Sequence, residues 1–120
     1  MSRPLALLIH SGGFTSRQWR KRAHRLAPSH DVLAPDLIGH GDDRWPPGVA
    51  FHFRLDVDRH AGMLDRPADV VGHSYGGLLA LQLALARPEL VRSLALYEPV
   101  AFGVVALHAQ RQGSLQIGWQ

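Results

Sequence analysis

The stretch Gly72-His73-Ser74-Tyr75-Gly76 constrains this chain more than any other. Before it, Ala68-Asp69-Val70-Val71 reads as a short buried strand. After it, Leu78-Leu79-Ala80-Leu81-Gln82-Leu83-Ala84-Leu85-Ala86 reads as a helix. A strand that passes into a helix through so short a turn forces the central residue, Ser74, into a strained backbone conformation. Side chains two positions to either side would then collide with the strand or the helix, and glycine at 72 and 76 removes them. Glycine and serine are common, so the five residues alone say little. Their setting between strand and helix makes the pattern specific.

The rest of the chain repeats the same alternation. Strand-like runs are expected at Leu5–His10, Asp31–Pro35, Asp69–Gly72 and Arg92–Tyr97. They are near-continuous apolar runs, so both faces should be buried, as in a parallel sheet covered by helices. Helices are expected at Ser16–Leu26, Phe53–Leu64 and Tyr75–Ala86. In the first, Trp19, Ala23 and Leu26 form a stripe; in the second, Phe53, Val57, Ala61 and Leu64 share one face. Pro28, Pro46-Pro47 and Pro88 punctuate the connections. The expected fold is α/β, a mostly parallel sheet of about four strands with helices on both faces. It forms one domain over residues 1–120, with its core at about 5–103.

Hydrophobic residues make up 46% of the 120 and charged residues 19%, a globular composition. No cysteine is present, which excludes a disulfide framework and thiolate metal sites. The short apolar run Leu5–Ile9 lacks a cleavage pattern, so no targeting segment is read and a cytoplasmic location is expected. No apolar stretch reaches membrane-spanning length. The net charge is +3, concentrated in Arg17–Arg25. With no nucleic-acid motif beside it, this run reads as the solvated face of an amphipathic helix.

In such a sheet, ligands gather beyond the carboxyl ends of the strands. His10-Ser11-Gly12-Gly13, Asp36-Leu37-Ile38-Gly39-His40-Gly41, Ser74 and Tyr97-Glu98-Pro99 all fall at that end. Ser74 is the candidate nucleophile, although a serine there could instead cap the helix it precedes. An oxyanion hole needs two backbone donors. One would be the Tyr75 N–H; for the other, Gly12 is the first choice and Gly13 the second. His10 is read as structural, bracing the turn. His73 should point away from the serine hydroxyl. Asp36, Gly39 and Gly41 shape a tight loop. His40, Asp42 and Asp43 could suggest a metal, but no second cluster supports one. No G-x-G-x-x-G or P-loop lysine is present, which counts against nucleotide binding. No cofactor is expected.

Together these segments resemble the N-terminal half of an α/β-hydrolase fold enzyme. Leu7-Leu8-Ile9-His10-Ser11-Gly12-Gly13 resembles that family's H-G-x-G oxyanion segment, with Trp19 after it. Ala34-Pro35-Asp36-Leu37-Ile38-Gly39-His40-Gly41 resembles its D-x-x-G-x-G loop, and Val70–Gly77 its nucleophile elbow. Arg87–Leu96 resembles the approach to its next strand. The likeness runs from about Leu5 to Gly103. Ser11 stands where glycine is usual and Asp42 where serine is usual. The four strands resemble the family's third to sixth.

The resemblance implies a serine-nucleophile hydrolase of ester-like bonds, with a small-molecule ester as its partner. A serine in the elbow argues against dehalogenase and epoxide-hydrolase relatives, which use aspartate there. The family's acid usually follows its seventh strand and its histidine the eighth, so the triad is expected to be incomplete here. Glu98 is a candidate acid, since some members place it after the sixth strand; otherwise it is a loop carboxylate. His108 fits a base poorly, because the family's order is nucleophile, acid, histidine. Residues 104–120 would begin a cap or form an irregular tail. The alternative is a non-catalytic half-domain that self-associates or binds a partner chain through exposed sheet edges. No nucleic-acid or membrane partner is expected.

Overall fold

The computed structural model of the chain describes residues 3–98 and the backbone of 117–119. His108 and the expected start of a cap lie outside the described residues. Strands β1 (Leu5–Ile9), β2 (Asp31–Leu33), β3 (Ala68–His73), β4 (Val91–Tyr97) and β5 (Ile117–Trp119) form one sheet in the order β2-β1-β3-β4-β5. Every pairing is parallel. Between them lie a 3-10 helix at Ser16–Trp19, α1 (Arg20–Leu26), α2 (Phe53–Gly62) and α3 (Tyr75–Ala86), then a 3-10 turn at Pro88–Leu90.

Of β1, β3 and β4, only β1 is buried on both faces, as its unbroken apolar run predicts; β3 alternates buried and half-buried residues, and β4 is buried at Val91, Leu94 and Leu96 while Arg92 and Tyr97 are exposed. All five residues of β1 are buried, with Leu7, Leu8 and Ile9 at 0% exposure. Each such Leu or Ile contributes about 1.5–3 kcal/mol relative to the exposed side chain. Helix α3 is apolar all round, the pattern of a helix enclosed by its neighbours. Its Leu79, Leu81 and Leu83 join Val70 and Leu94 of the sheet in the core, with Val57 and Ala61 of α2 outside them. Successive strand residues point to opposite faces. Val71, beside Val70, accordingly lines a cavity on the other face with Ala95, Tyr97, Gln18 and Trp19. Helix α3 therefore covers one face of β3, and the segment leading into α1 lies over the other.

Helix α2 is finished at both ends. The His52 ring accepts the Arg54 N–H at its start, Asp56 lies in its first turn, and Arg59 and His60 lie in its last. The Asp56 and Arg59 charges complement the helix dipole.

Four sequence expectations need correction. The second strand ends at Leu33, not Pro35, because Pro35 has no N–H for the ladder. The first helix divides at Trp19: Thr15 caps the 3-10 turn by accepting the Arg17 N–H, and α1 then has no fully buried residue. Of the expected stripe only Trp19 is buried; Ala23 and Leu26 are half-buried, since α1 lies near a three-residue edge strand that covers little area. Residues 104–120, read as the start of a cap or an irregular tail, include β5, which pairs through Leu94↔Ile117 to Leu96↔Trp119. That edge of β4, expected to be open, is therefore paired. Among the described residues no helix is long and apolar enough to cross a membrane.

Candidate active site

The ladder between β1 and β3 runs from Leu5↔Ala68 to Ile9↔Gly72. Beyond it the two chains diverge into the turn at His10–Gly13 and the elbow at Ser74. These two turns lie at the carboxyl end of the sheet, where the sequence pattern anticipates a ligand site.

Ser74 has φ 55° and ψ −115°, a region that non-glycine residues avoid. A conformation of this kind costs on the order of 1–3 kcal/mol and persists only where its surroundings enforce it. Three features do so. The Ser74 N–H donates to the Tyr97 carbonyl at 2.9 Å, tying the elbow to the end of β4. The Ser74 carbonyl accepts from Gly77 and Leu78, starting α3. A Cβ on Gly72 would lie 2.4 Å from the Gly76 carbonyl oxygen, so only glycine permits the fold-back. The Ser74 hydroxyl makes no capping bond to α3. The capping role considered from sequence is thus not the one it plays.

The turn after β1 is rigidly held. His10 is fully buried and uses both ring nitrogens. Its Nδ1–H donates to the Ser11 carbonyl at 2.8 Å, and its Nε2 accepts the Leu37 N–H at 2.9 Å. Burial lowers its pKa, which keeps the ring neutral in this arrangement. Gly12 and Gly13 are exposed, and Gly13 has φ 80°. The Cβ position of Gly12 lies 3.5 Å from Tyr75 Cβ. The two preferred donor residues, Gly12 and Tyr75, therefore adjoin at the carboxyl end of the sheet.

The loop after β2 packs beside this turn. Asp36 accepts the Ser16 N–H at 2.8 Å and the Asp42 N–H at 3.4 Å. Those bonds, that from Ser16 foremost, hold its carboxyl below the ordinary value. A Cβ on Gly41 would lie 2.4 Å from the Asp36 carboxylate, and Gly41 has φ 58°. Asp43 pairs with Arg59 at 2.8 Å and accepts the Gly39 N–H at 3.3 Å. Below them Asp56 is buried and accepts the Ile38 N–H at 2.9 Å. His60, also buried, bonds the Asp56 carbonyl through Nδ1, and burial lowers its pKa. The Tyr75 phenol is raised, first by burial and then by the Asp56 charge. Trp45 and Phe51 extend an aromatic surface from Tyr75, with ring centroids 5.7 Å and 6.4 Å apart in succession.

His73 points away from Ser74, to the face that carries Gln18. Its Nδ1 meets the Gln18 amide nitrogen, and its ring lies 4.8 Å from that of Tyr97. Glu98 follows β4 with φ 45° and is exposed; among the described residues no histidine bonds its carboxylate. Among the described residues no group of three potential metal ligands is gathered.

A second chain of Ser, His and Asp occurs at the opposite end of the sheet. Ser29 Oγ lies 2.7 Å from His30 Nδ1, and His30 Nε2 lies 2.9 Å from Asp69. It acts as a brace. The Ser29 hydroxyl also lies within bonding distance of the Leu26 carbonyl, and Asp69 is held further by Ser93 and Arg92. Partial burial pulls the Asp69 carboxyl up, but the bonds from Ser93 and His30 and the Arg92 charge outweigh it and keep it low.

Sequence reasoning missed Gln18, the Asp56–His60 pair and this brace. Asp56 and His60 do stand four apart on one helix face, a signal that was available. Gln18 offered none.

A parallel sheet with this elbow defines an α/β hydrolase. The chain belongs to the alpha/beta hydrolase family, whose model matches residues 6–119. It is 39% identical over 109 residues to the lipase LipV of Mycobacterium tuberculosis, covering 88% of this chain and 39% of that one. It is 42% identical over 89 residues to a pimeloyl-[acyl-carrier protein] methyl ester esterase of Neisseria meningitidis, covering 74% and 34%. Among solved structures it matches a probable hydrolytic enzyme from Pseudomonas aeruginosa with a TM-score of 0.78 and 29% identity, covering 82% and 33%. The chain thus spans between a third and two fifths of the length of these relatives.

Proposed function

We propose that this chain carries the nucleophile and oxyanion hole of a serine hydrolase acting on ester-like carbonyl groups. The observation that carries the reading is Ser74 at φ 55° and ψ −115° with its hydroxyl not spent on capping α3. In this mechanism Ser74 Oγ attacks the carbonyl carbon and gives its proton to a base. The carbonyl oxygen becomes an oxyanion, held by the N–H groups of Tyr75 and Gly12. Collapse expels the protonated alcohol and leaves an acyl-serine, which water hydrolyses to release the acid. A lipase and a methyl ester esterase among the relatives support an ester as the substrate class.

The acid and base are the weak part of this chain. His10, His40, His52, His60 and His73 each engage a ring nitrogen with a group other than Ser74, and His30 lies in the brace. Glu98 is the acid candidate, placed after β4. Among the described residues no histidine bonds Ser74, so we read these residues as holding the nucleophile and oxyanion hole without the base that both acylation and deacylation use, which leaves slow acylation and little turnover.

Labelling with a fluorophosphonate probe tests the reading, since phosphonylation draws on the elbow and the oxyanion hole and its product needs no further turnover. Modification mapped to Ser74 and abolished by Ser74→Ala is expected. An unmodified Ser74 under saturating probe would sink the proposal.

A further inference from the structure

Gln18 lies half-buried in the 3-10 helix after the β1 turn. Its side-chain carbonyl accepts the Ser11 N–H at 3.0 Å. Its amide nitrogen meets His73 Nδ1. An amide N–H donates, so His73 accepts at Nδ1 and carries its proton on Nε2. One side chain thus joins the residue before Gly12 to the residue before Ser74.

The position of this bridge matters because the ladder between β1 and β3 stops at Ile9↔Gly72. Past that register no ladder bond joins the two, and Gly12 faces Tyr75 with its Cβ position 3.5 Å from Tyr75 Cβ and 3.9 Å from the Tyr75 ring. The peptide between Ser11 and Gly12 is planar, so its C=O and N–H point in opposite directions. The His10 Nδ1–H at 2.8 Å and the Phe14 N–H at 3.2 Å hold that C=O. They fix the direction of the Gly12 N–H. The Gln18 bond holds the preceding N–H of Ser11, and so anchors the turn against β3.

We propose that Gln18 is a positioning residue that sets the separation of the Gly12 and Tyr75 N–H groups through Ser11 and His73. This rests on the reading of those two N–H groups as an oxyanion hole. Two donors stabilise one oxygen only when both lie within hydrogen-bond distance of it, so a loosened turn weakens the hole without removing a donor. Gln18 touches neither substrate nor nucleophile.

The test compares the intact chain with Gln18→Met, which keeps the length and loses both hydrogen bonds, and with Gln18→Glu, which keeps an acceptor for Ser11. Three quantities are read: the second-order rate of fluorophosphonate labelling at Ser74, exchange of the Ser11 amide by NMR, and the melting temperature. Gln18→Met should slow labelling about tenfold, on the scale expected of a small misplacement, and speed Ser11 exchange, with the melting temperature changed by only a few degrees. Gln18→Glu should recover most of both. If Gln18→Met does not fold, Gln18→Asn, too short to reach both partners, is read in its place with the same expectation.

A labelled parent chain whose Met or Asn variant is labelled equally fast overturns the role of Gln18 and leaves the serine reading intact. A parent chain not labelled at Ser74 overturns the serine reading and this role with it.

Discussion

A Cβ built on Gly76 would lie 2.2 Å from the carbonyl oxygen of Ile9. Helix α3 therefore begins in backbone contact with the last residue of β1, which holds its first turn close to the end of that strand. Neither backbone can yield without breaking the Ile9↔Gly72 register.

Gly76→Ala is expected to destabilise the fold by about 3 kcal/mol, at the upper end for overpacking, because the colliding atom is main chain. Gly62, at the end of α2, is the control: its Cβ position meets nothing within 4 Å. Gly62→Ala should stabilise by about 0.5–1 kcal/mol. Urea unfolding of both variants checks the contrast.

Ser74→Ala keeps the strained backbone and should leave stability within about 0.5 kcal/mol of the parent. Ser74→Gly relieves the strain at φ 55° and should be more stable than Ser74→Ala by about 1 kcal/mol. Both lose phosphonate labelling. Equal stability of the two variants would mean that the elbow stores no strain.

Asp36 gives the fold a pH dependence of known sign. Its folded pKa lies below the ordinary 3.8, principally because it accepts the Ser16 N–H. The unfolded chain then binds the proton more readily, so the stabilisation is complete well above that value and is lost as pH falls through the folded pKa. Asp36→Asn should cost stability at pH 7, with the gap to the parent shrinking between about pH 5 and pH 3. A gap that is constant with pH would mean that the charge on Asp36 contributes nothing.

Steady-state hydrolysis of a p-nitrophenyl ester by this chain should stay within about threefold of its Ser74→Ala variant. A triad deprived of its histidine retains only the contribution of the oxyanion hole and binding, roughly three to four decades over water. Robust turnover abolished by Ser74→Ala would show that the chain supplies its own base.

Much of the fold was legible because its determinants are local. The unbroken apolar run at Leu5–Ile9 announces a strand buried on both faces, and the run at Leu94–Leu96 announces a strand, although Ala95 on its other face is only half-buried. The glycines at 72 and 76 announce a turn that tolerates no Cβ. Elements with little local signal were read less well. Strand β5 is three residues long, too short to show any periodicity, and it exists through its pairing with β4. Helix α1 carries a helical stripe, yet its position near the sheet edge left Ala23 and Leu26 half-buried.

The sequence by itself determined the alternation of strands and helices, the elbow and the family to which the chain belongs. Each of these follows from side-chain periodicity or steric permission within a few residues. Only the tertiary structure decided what the polar side chains do. It committed His10 to Ser11 and Leu37, His73 to Gln18, and Asp36 to Ser16. It also made one Ser-His-Asp chain a brace at the far end of the sheet. The reason is physical: a hydrogen bond depends on distances of about 3 Å between groups far apart in the chain. Packing of the whole sheet sets those distances, and no local pattern encodes them.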